Sequence, residues 1–250
     1  MDKETEAKVA KLQELIDGSD NIVFFGGAGV STESGIPDFR SQDGLYNQQY
    51  DYPPETILSH SFFMRNPSEF YRFYRDKILM VGSDRRIEPN AAHLKLAELE
   101  KAGKLKAVIT QNIDDLHHRA GSKTIYELHG TTTRNFCMDC DKTFDIDYIK
   151  NSADVPVCDE CGGIVKPDVV LYEEGLDMYT MEQSIKAIRD ADMLIIGGTS
   201  LVVYPAAGLV DYYRGNKLVL INKGTTGREA GADLVINAPI GEVLGAVKVG

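Results

Sequence analysis

Short apolar runs alternate with amphipathic segments along most of the chain. Apolar runs of strand length stand at 22–25, 107–110, 168–171, 193–196, 218–221 and 234–236. Apolar residues recur at helical spacing in 5–17, 66–81, 90–103 and 180–189. A run that is apolar at every position predicts a strand buried on both faces. The alternation therefore predicts an α/β fold with a parallel sheet, covered on both faces by helices and binding ligands beyond the carboxyl ends of its strands.

Two segments, 41–85 and 133–166, interrupt this alternation, and we assign both to a second, smaller lobe. The main domain then consists of 1–40, 86–132 and 167–250. The stretch 41–54 is rich in Gln, Asn, Tyr and Asp without periodicity, which predicts a loop that can cover a bound ligand.

Capping residues mark two helix starts. Asn66 precedes Pro67 and is followed by Glu69, an order that predicts a helix from Asn66. Thr180 with Gln183 three residues later predicts another helix that begins at Thr180.

Composition narrows the class of protein. The chain has 250 residues, of which 43% are hydrophobic, enough for one large core and a smaller lobe. No apolar run approaches the roughly twenty residues that span a bilayer, and Met1–Glu6 is charged, so we expect a cytoplasmic chain without a membrane partner. The net charge of −11 and the lack of a basic stripe argue against nucleic-acid binding and fit a basic protein partner better.

A glycine turn follows the first predicted strand. Gly26, Gly27 and Gly29 stand between Ile22–Phe25 and the polar stretch 31–34, the order of a strand, a tight turn and a helix start. Such a turn lets backbone N–H groups approach a pyrophosphate, although α/β domains also contain glycine turns without that role. Thr32 occupies the place of the third glycine of a dehydrogenase fingerprint, which argues against an ordinary dehydrogenase.

Two further polar clusters follow strand-like runs. Asn112 and Asp114 leave the strand 107–110, where amide and carboxylate groups can hold a ribose or a carboxamide ring; a plain Asn-Asp turn is the alternative. His129 follows Leu128, and a neutral imidazole can take a proton near pH 7. We interpret the other four histidines as structural.

The four cysteines form two Cys-x-x-Cys pairs. Cys137 and Cys140 are separated by seventeen residues from Cys158 and Cys161. Two such knuckles can meet around one tetrahedral ion, and four thiolates leave no open position for a reaction. We therefore predict one structural zinc ion; reactive or disulfide-bonded cysteines are the alternative.

Several of these motifs resemble those of the sirtuins, the NAD-dependent protein lysine deacylases. The resemblance rests on Gly-Ala-Gly-Val-Ser-Thr-Glu-Ser-Gly-Ile-Pro-Asp-Phe-Arg at 27–40, Gln-Asn-Ile-Asp at 111–114, Leu-His-Gly at 128–130, the two cysteine pairs and the segments 167–174 and 197–201. It implies a Rossmann-like NAD-binding domain with a smaller zinc-binding lobe formed by insertions. It also implies an enzyme that moves the acetyl group of acetyl-lysine to ADP-ribose, releasing nicotinamide and O-acetyl-ADP-ribose.

The resemblance assigns roles to residues. His129 and Asn112 would be catalytic, with His129 activating a ribose hydroxyl. The residues that would bind NAD are Gly27, Ala28, Gly29, Ser31, Thr32, Asp38, Phe39, Arg40, Gln111, Asn112, Ile113, Asp114, His129, Gly198, Thr199, Ser200, Asn222, Lys223 and Ile240. The acetyl-lysine substrate would contact Val170, Leu171 and Tyr172.

Two residues depart from the sirtuin pattern, and one region bears on the choice of acyl group. Asp115 and Glu173 stand where sirtuins usually have glycine; we expect Asp115 only to shift its loop, and Glu173 to favour peptides with basic flanks. The region Tyr46 to Glu55 lacks the arginine of sirtuins that prefer succinyl or malonyl groups, which predicts weak desuccinylase activity.

Two rival functions remain at the level of sequence. An NAD-dependent oxidoreductase would make NADH instead of releasing nicotinamide, and a zinc-bearing binding module would turn nothing over. ADP-ribosyl transfer as a side activity would use the same site.

Overall fold

The computed structural model describes residues 1–38, 52–79 and 87–250. In chain order the strands of this part are β1 (Ile22–Gly26), β2 (Leu105–Thr110), β3 (Ile125–Glu127), β4 (Gly130–Cys137), β5 (Thr143–Asp145), β6 (Val165–Val169), β7 (Met193–Gly197), β8 (Leu218–Ile221) and β9 (Leu234–Ile236). The α-helices are α1 (Lys3–Asp17), α2 (Pro54–Ile57), α3 (His60–Arg65), α4 (Pro67–Phe73), α5 (Ala91–Lys101), α6 (Leu116–Ala120), α7 (Ile146–Asn151), α8 (Met178–Asp190) and α9 (Ile240–Gly245).

Six strands form one parallel sheet in the order β3-β2-β1-β7-β8-β9. The order runs outward in opposite directions from the neighbours β1 and β7, which is the doubly wound arrangement of dinucleotide-binding sheets. The crevice at such a switch point lies beyond the carboxyl ends of β1 and β7, where Gly26 pairs in register with Gly197. The predicted α/β fold is confirmed.

The central strands are apolar throughout because both of their faces are covered. Ile22 and Phe24 pack with side chains of α1, α5 and α9 in one core. Val23 and Phe25 point the other way, into a second core with α8 and the 3₁₀ segment Ala206–Tyr212. All four side chains are fully buried, as expected for a strand that has no solvent-facing side.

A separate three-stranded antiparallel sheet has the order β5-β4-β6. The apolar run 168–171 was predicted to join the parallel sheet, and this is wrong: the strand is Val165–Val169 and pairs with β4. An apolar run indicates that a strand is buried, but it does not specify the partner strand.

The antiparallel sheet shares one core with the helices α2 to α4. Rings of Phe63, Phe70 and Tyr74 pack against one another, with 4.9 Å between the ring centroids of Phe63 and Phe70. Cys137 and Cys158 belong to the same buried cluster. The hydroxyl of Tyr71 donates a hydrogen bond to the carbonyl of Val165 in β6, so the two inserted segments are tied together.

Two predicted helix starts differ from the structure. Helix α8 begins at Met178, and Asp177 caps it by accepting a 2.7 Å hydrogen bond from the Thr180 N–H. The stretch after the glycine turn forms two 3₁₀ turns, Ala28–Val30 and Thr32–Ser34, which end at Gly35 with φ of 89°. The helix predicted from Asn66 does begin at Pro67, but its α-helical part ends at Phe73 and a short π-helix, Tyr74–Ile78, follows it.

Among the described residues, no helix combines the length and apolar character needed to cross a bilayer.

Candidate nucleotide and substrate site

The loops that follow β1 and β7 touch each other backbone to backbone at the switch point. The Gly29 N–H donates a 2.8 Å hydrogen bond to the Gly198 carbonyl, and the Gly27 N–H donates a 3.3 Å bond to the Gly197 carbonyl. A Cβ on Gly29 would lie 2.8 Å from the Gly198 Cα, and Gly198 itself has φ of 58°. The glycines therefore allow the two loops to meet, in addition to leaving room for a ligand.

This contact changes how the turn can bind an anion. The N–H groups of Gly27 and Gly29 are already used within the protein. Within the described part of the chain, the Ala28 N–H has no hydrogen-bond partner. Of the predicted pyrophosphate donors in this turn, Ala28 is thus the one that remains available to a ligand.

Three polar side chains from two loops meet beside this turn. The Ser31 hydroxyl donates to Asp114 Oδ2 at 2.5 Å and accepts from Asn112 Nδ2 at 3.0 Å. The other carboxylate oxygen of Asp114 accepts from the Leu116 N–H at 3.0 Å. Ser31 and Asn112 are buried, at 1% and 9% exposure. The sequence predicted each of these residues, and the structure brings them into one hydrogen-bonded group.

Ile113 joins this group to the smaller lobe. Its carbonyl accepts hydrogen bonds from the N–H and the hydroxyl of Thr132 in β4, at 3.1 and 3.0 Å. Its side chain packs against the aromatic core. The backbone of the 111–114 loop is thereby fixed on both sides.

His129 is held in one orientation by the backbone. Its Nδ1 lies 3.0 Å from the Gln111 carbonyl, and because a carbonyl can only accept, Nδ1 carries the hydrogen. Burial lowers the pKa of His129 below its usual 6.5, while the Gln111 carbonyl opposes that shift. The imidazole is therefore neutral near pH 7, and its Nε2 has a free lone pair that can take a proton.

Gln111 connects the loops at the switch point. Its N–H donates to the Gly26 carbonyl at 3.0 Å, and its Nε2 donates to the Thr199 hydroxyl at 3.2 Å. The Thr199 hydroxyl in turn accepts from the Leu201 N–H at 3.2 Å. The side-chain nitrogen of Gln111 is thus committed to the protein, which leaves the side-chain oxygen Oε1 for a ligand.

The remaining predicted contacts with NAD lie beyond β7, β8 and β9. Asn222 donates from Nδ2 to the Gly224 carbonyl at 2.9 Å, and Lys223 is exposed beside it. Ile240 is only 3% exposed, and its side chain fills the space that a Cβ on Gly197 would need. Little of the Ile240 side chain is therefore left for a ligand.

The last four predicted NAD contacts come before the predicted loop 41–54. Thr32 donates its hydroxyl to the Gly29 carbonyl at 3.0 Å, and Asp38 is half-buried. Phe39 and Arg40 lie outside the described residues, as does the predicted loop as far as Asp51.

The predicted substrate segment is anchored next to His129. The Val170 N–H donates to the His129 carbonyl at 3.0 Å. Tyr172 pairs with the chain's own segment 58–60: its N–H donates to the Leu58 carbonyl at 2.9 Å, and its carbonyl accepts from the His60 N–H at 3.0 Å. Leu171 is buried, and Tyr172 keeps 38% of its surface exposed.

The Glu173 carboxylate binds the first turn of α3 within the protein. Its carboxylate accepts hydrogen bonds from the N–H and the hydroxyl of Ser61, at 2.9 and 3.0 Å. These bonds fix the position of the carboxylate at the surface, and the preference for peptides with basic flanks stays a prediction. Glu173 has φ of 77° and Asp115 has φ of 65°, so both residues take up the left-handed conformation that glycine favours.

Sequence reasoning missed one contact that fixes the nucleotide loop. The Glu33 carboxylate accepts a 2.6 Å hydrogen bond from the Gly241 N–H at the start of α9. Glu33 was visible only as part of a polar stretch, because its partner lies 208 residues away along the chain. No local pattern could have indicated this pair.

The four cysteines form a cluster with the dimensions of a thiolate zinc site. Their Sγ atoms lie 3.3 Å apart for Cys137 and Cys161, 3.7 Å for Cys140 and Cys158, and 3.4 Å for Cys140 and Cys161. Zn–S bonds of about 2.3 Å place tetrahedral sulfurs about 3.8 Å apart, so the cluster fits the ion with a small expansion. All four ligand atoms lie within 4.8 Å of one another.

The fold and the site define a class: a doubly wound nucleotide-binding sheet that carries a lobe built around four zinc-binding thiolates. A profile of the Sir2 family matches residues 27–205. The chain is 58% identical over 243 residues to an NAD-dependent protein deacetylase of Clostridium acetobutylicum, covering 96% of this chain and 98% of that one. Identity to the corresponding protein of Clostridium perfringens is 59% over 243 residues, with the same coverage.

Solved structures agree with these relatives. A Sir2 enzyme superposes with a TM-score of 0.85 at 41% identity, covering 96% of both chains. A Sir2 protein in complex with a p53 peptide and NAD⁺ gives 0.82 at 40% identity, covering 94% of both. The chain belongs to the Sir2 family, and the predicted sirtuin relationship is confirmed.

Proposed function

We propose that this chain is an NAD-dependent protein lysine deacetylase. It moves the acetyl group of acetyl-lysine to the ADP-ribose part of NAD, with release of nicotinamide and O-acetyl-ADP-ribose. The observation that carries the proposal is the neutral, backbone-oriented His129 beside the Ser31–Asn112–Asp114 group at the switch point. The relatives with the same name and a Sir2 structure with peptide and NAD⁺ support it.

In this proposal the nicotinamide end of NAD lies against the Ser31–Asn112–Asp114 group. An amide such as Asn112 can both donate and accept, which suits a carboxamide ring. Asp114 has both oxygens occupied by Ser31 and Leu116, so it positions the pocket. Ala28 offers its N–H to the pyrophosphate, and Gly198, Thr199, Ser200, Asn222 and Lys223 line the adenosine end.

His129 acts as the general base. Its Nδ1–H is held by the Gln111 carbonyl, so its Nε2 is free to accept a proton. After the acyl oxygen has displaced nicotinamide from the ribose, Nε2 takes the proton of a ribose hydroxyl as that oxygen attacks the acyl carbon, and water completes the release of lysine. Val170, whose N–H is bonded to the His129 carbonyl, fixes the substrate segment relative to the imidazole. The exposed Tyr172 ring contacts the acetyl-lysine.

The zinc ion holds the smaller lobe folded and takes no part in the reaction. Its four thiolates leave no open coordination position for a substrate or a water molecule. We retain the division into a main domain and a smaller lobe, which the shared core of the two insertions supports. The strands β4 and β6 extend the lobe from 133–166 to 130–169. The cytoplasmic location and the absence of a nucleic-acid partner stay predictions.

The first test follows the fate of NAD and the peptide. The chain, incubated with NAD and an acetyl-lysine peptide, should release nicotinamide and form O-acetyl-ADP-ribose, both detected by mass spectrometry. His129→Ala should lower the rate by about 10²- to 10⁴-fold, the usual contribution of a general base, while zinc content and thermal unfolding stay as in the wild type.

Each rival function has its own result in this experiment. Formation of NADH, seen as absorbance at 340 nm, would indicate an oxidoreductase. An unchanged peptide with unchanged NAD would indicate a binding module. A His129→Ala variant that keeps its fold and its full activity would refute the proposed role of His129.

A further inference from the structure

A second cluster of metal-ligating side chains lies outside the cysteine site. Asp115, His118 and Glu127 bring one ligand atom each to within 4.8 Å of the other two. Asp115 stands at the start of α6, His118 is one turn later on the same helix, and Glu127 ends β3. The His118 Nε2 lies 3.6 Å from Glu127 Oε1.

The two carboxylates sit close together in a partly buried place. Burial raises the pKa of Asp115, His118 and Arg119 oppose that shift, and Asp114 adds to it. Burial also raises the pKa of Glu127; His118 and Arg134 oppose that shift, and Asp115 and Asp168 add smaller contributions to it. Two carboxylates within 4.8 Å of each other repel as anions, and a bound cation would relieve that repulsion.

The nearby arginines are committed elsewhere. Arg134 pairs with Asp168. Arg119 donates to Glu88 at 2.7 Å and to the Ile87 carbonyl at 2.8 Å. Both arginines act on the cluster only at longer range, so among the described residues its negative charge has no cation in direct contact other than a protonated His118.

The cluster is open to solvent on one side. The His118 side chain is 46% exposed, which gives an ion a path into the cluster, while that of Glu127 is 15% exposed. The Asp115 side chain does not cap α6, although a residue at that position could do so. Its carboxylate is therefore free of the helix and stands where sirtuins usually have glycine.

We propose that Asp115, His118 and Glu127 form a second metal site, which binds a divalent transition ion such as Zn²⁺ independently of the four cysteines. One imidazole and two carboxylates are ordinary ligands of Zn²⁺, and water completes the coordination. The bound ion joins the start of α6 to the end of β3. Asp115 follows Asp114 directly, and Glu127 lies two residues before His129. The ion therefore stabilises the backbone next to the candidate active site.

The test measures zinc per chain. Tag-free protein that already holds one zinc ion is dialysed against buffered Zn²⁺, and the bound metal is counted by elemental mass spectrometry. The wild type should take up a second ion. Asp115→Gly and Glu127→Gln should each weaken its affinity by at least about tenfold, because each removes one of three ligands. Asp115 has a left-handed backbone conformation that glycine adopts without strain, so Asp115→Gly is expected to fold.

His60→Ala is the matched control. His60 is also an exposed histidine beside a carboxylate, with 2.8 Å between its Nδ1 and Glu174 Oε1. The Glu174 carboxylate also binds the ammonium of Lys166 at 3.1 Å. Where the proposed metal site has a second carboxylate, His60 thus has a cation nearby. This variant should bind the second zinc ion as the wild type does.

Thermal unfolding gives a second measurement. At ten times the dissociation constant of the second site, Zn²⁺ should raise the Tm of the wild type by about 3–6 °C and that of Asp115→Gly by no more than about 1–2 °C. The proposal is overturned if the wild type stays at one zinc per chain, if Asp115→Gly and Glu127→Gln bind as the wild type does, or if His60→Ala loses as much affinity as they do.

Discussion

Alanine at Gly198 should destabilise the protein for two separable reasons. The residue has φ of 58°, and a Cβ there would overlap the Val30 nitrogen and lie 2.7 Å from the Gly29 carbonyl carbon. A left-handed conformation costs a residue with a side chain about 1–2 kcal/mol. Forcing two packed loops apart costs about 1–3 kcal/mol more. Gly198→Ala should therefore lower the free energy of unfolding by about 2–5 kcal/mol.

Two other glycines separate these contributions. Gly103 has φ of 77°, and a Cβ added there would have nothing within 4 Å, so Gly103→Ala should show the backbone cost alone, about 1–2 kcal/mol. Gly29 lies on the other side of the loop contact without a left-handed φ, so Gly29→Ala should show only the steric cost, about 1–3 kcal/mol. The entropy that alanine removes from the unfolded chain is the same for all three variants and cancels in the differences.

Urea unfolding followed by circular dichroism, with zinc present and thiols reduced, measures the three free energies. Gly198→Ala should exceed each of the other two variants. It should also raise the KM for NAD, because the displaced loop carries the candidate nucleotide contacts. If Gly198→Ala were no more destabilising than Gly103→Ala, the contact between the two loops would not constrain the fold, and our explanation of these glycines would be wrong.

Four further predictions concern the pH dependence of activity, the pH dependence of stability, the zinc site and the substrate. Since burial lowers the pKa of His129 and its neutral form is the base, kcat/KM should stay high down to pH 6.5 and fall only at lower pH; an acid limb above pH 6.5 in the pH profile would contradict this. Burial lowers the pKa of His93 to about 4 and that of His117 to about 3, so between pH 6.5 and 4 the unfolded chain binds more protons than the folded one. The two histidines should not reduce the free energy of unfolding above pH 6.5, but should lower it by about 2 kcal/mol each at pH 5. In urea unfolding, the free energy of His117→Leu should depend less on pH than that of the wild type. Cys158→Ser should release zinc, measured with a chromogenic chelator, and unfold the smaller lobe at a lower temperature; retention of both zinc and Tm would rule out the four-cysteine site. A succinyl-lysine peptide should give a much lower kcat/KM than the matching acetyl peptide, and comparable values would overturn that prediction.

The features that the sequence predicted well are those that depend on neighbouring residues. Ile22–Phe25 is apolar at each position, and the strand is buried on both faces as a result. The spacing of Cys137 and Cys140 alone indicates a tight turn that presents two thiolates to one ion. In both cases the local pattern contains the physical constraint.

The features that the sequence could not predict depend on distant partners. The apolar run that includes Asp168 was compatible with a strand in either sheet. Its pairing with β4, which the sequence does not specify, places it in the antiparallel sheet. Glu33 gains its role from Gly241, and the helix expected after the glycine turn is replaced by 3₁₀ turns that end at a left-handed Gly35. Asp115 and Glu173 were visible as departures from the sirtuin pattern, yet their left-handed backbone became apparent only in the structure.

The common core of the two insertions limits how this protein can be re-engineered. Phe70 and Tyr74 come from one insertion, whereas Cys137 and Cys158 come from the other, and all four side chains are buried in the same cluster. A chimera that exchanges only the cysteine-bearing insertion with a relative would leave the aromatic helices facing a foreign surface. The two pieces therefore form a single transplantable unit, although sequence that belongs to the main domain separates them.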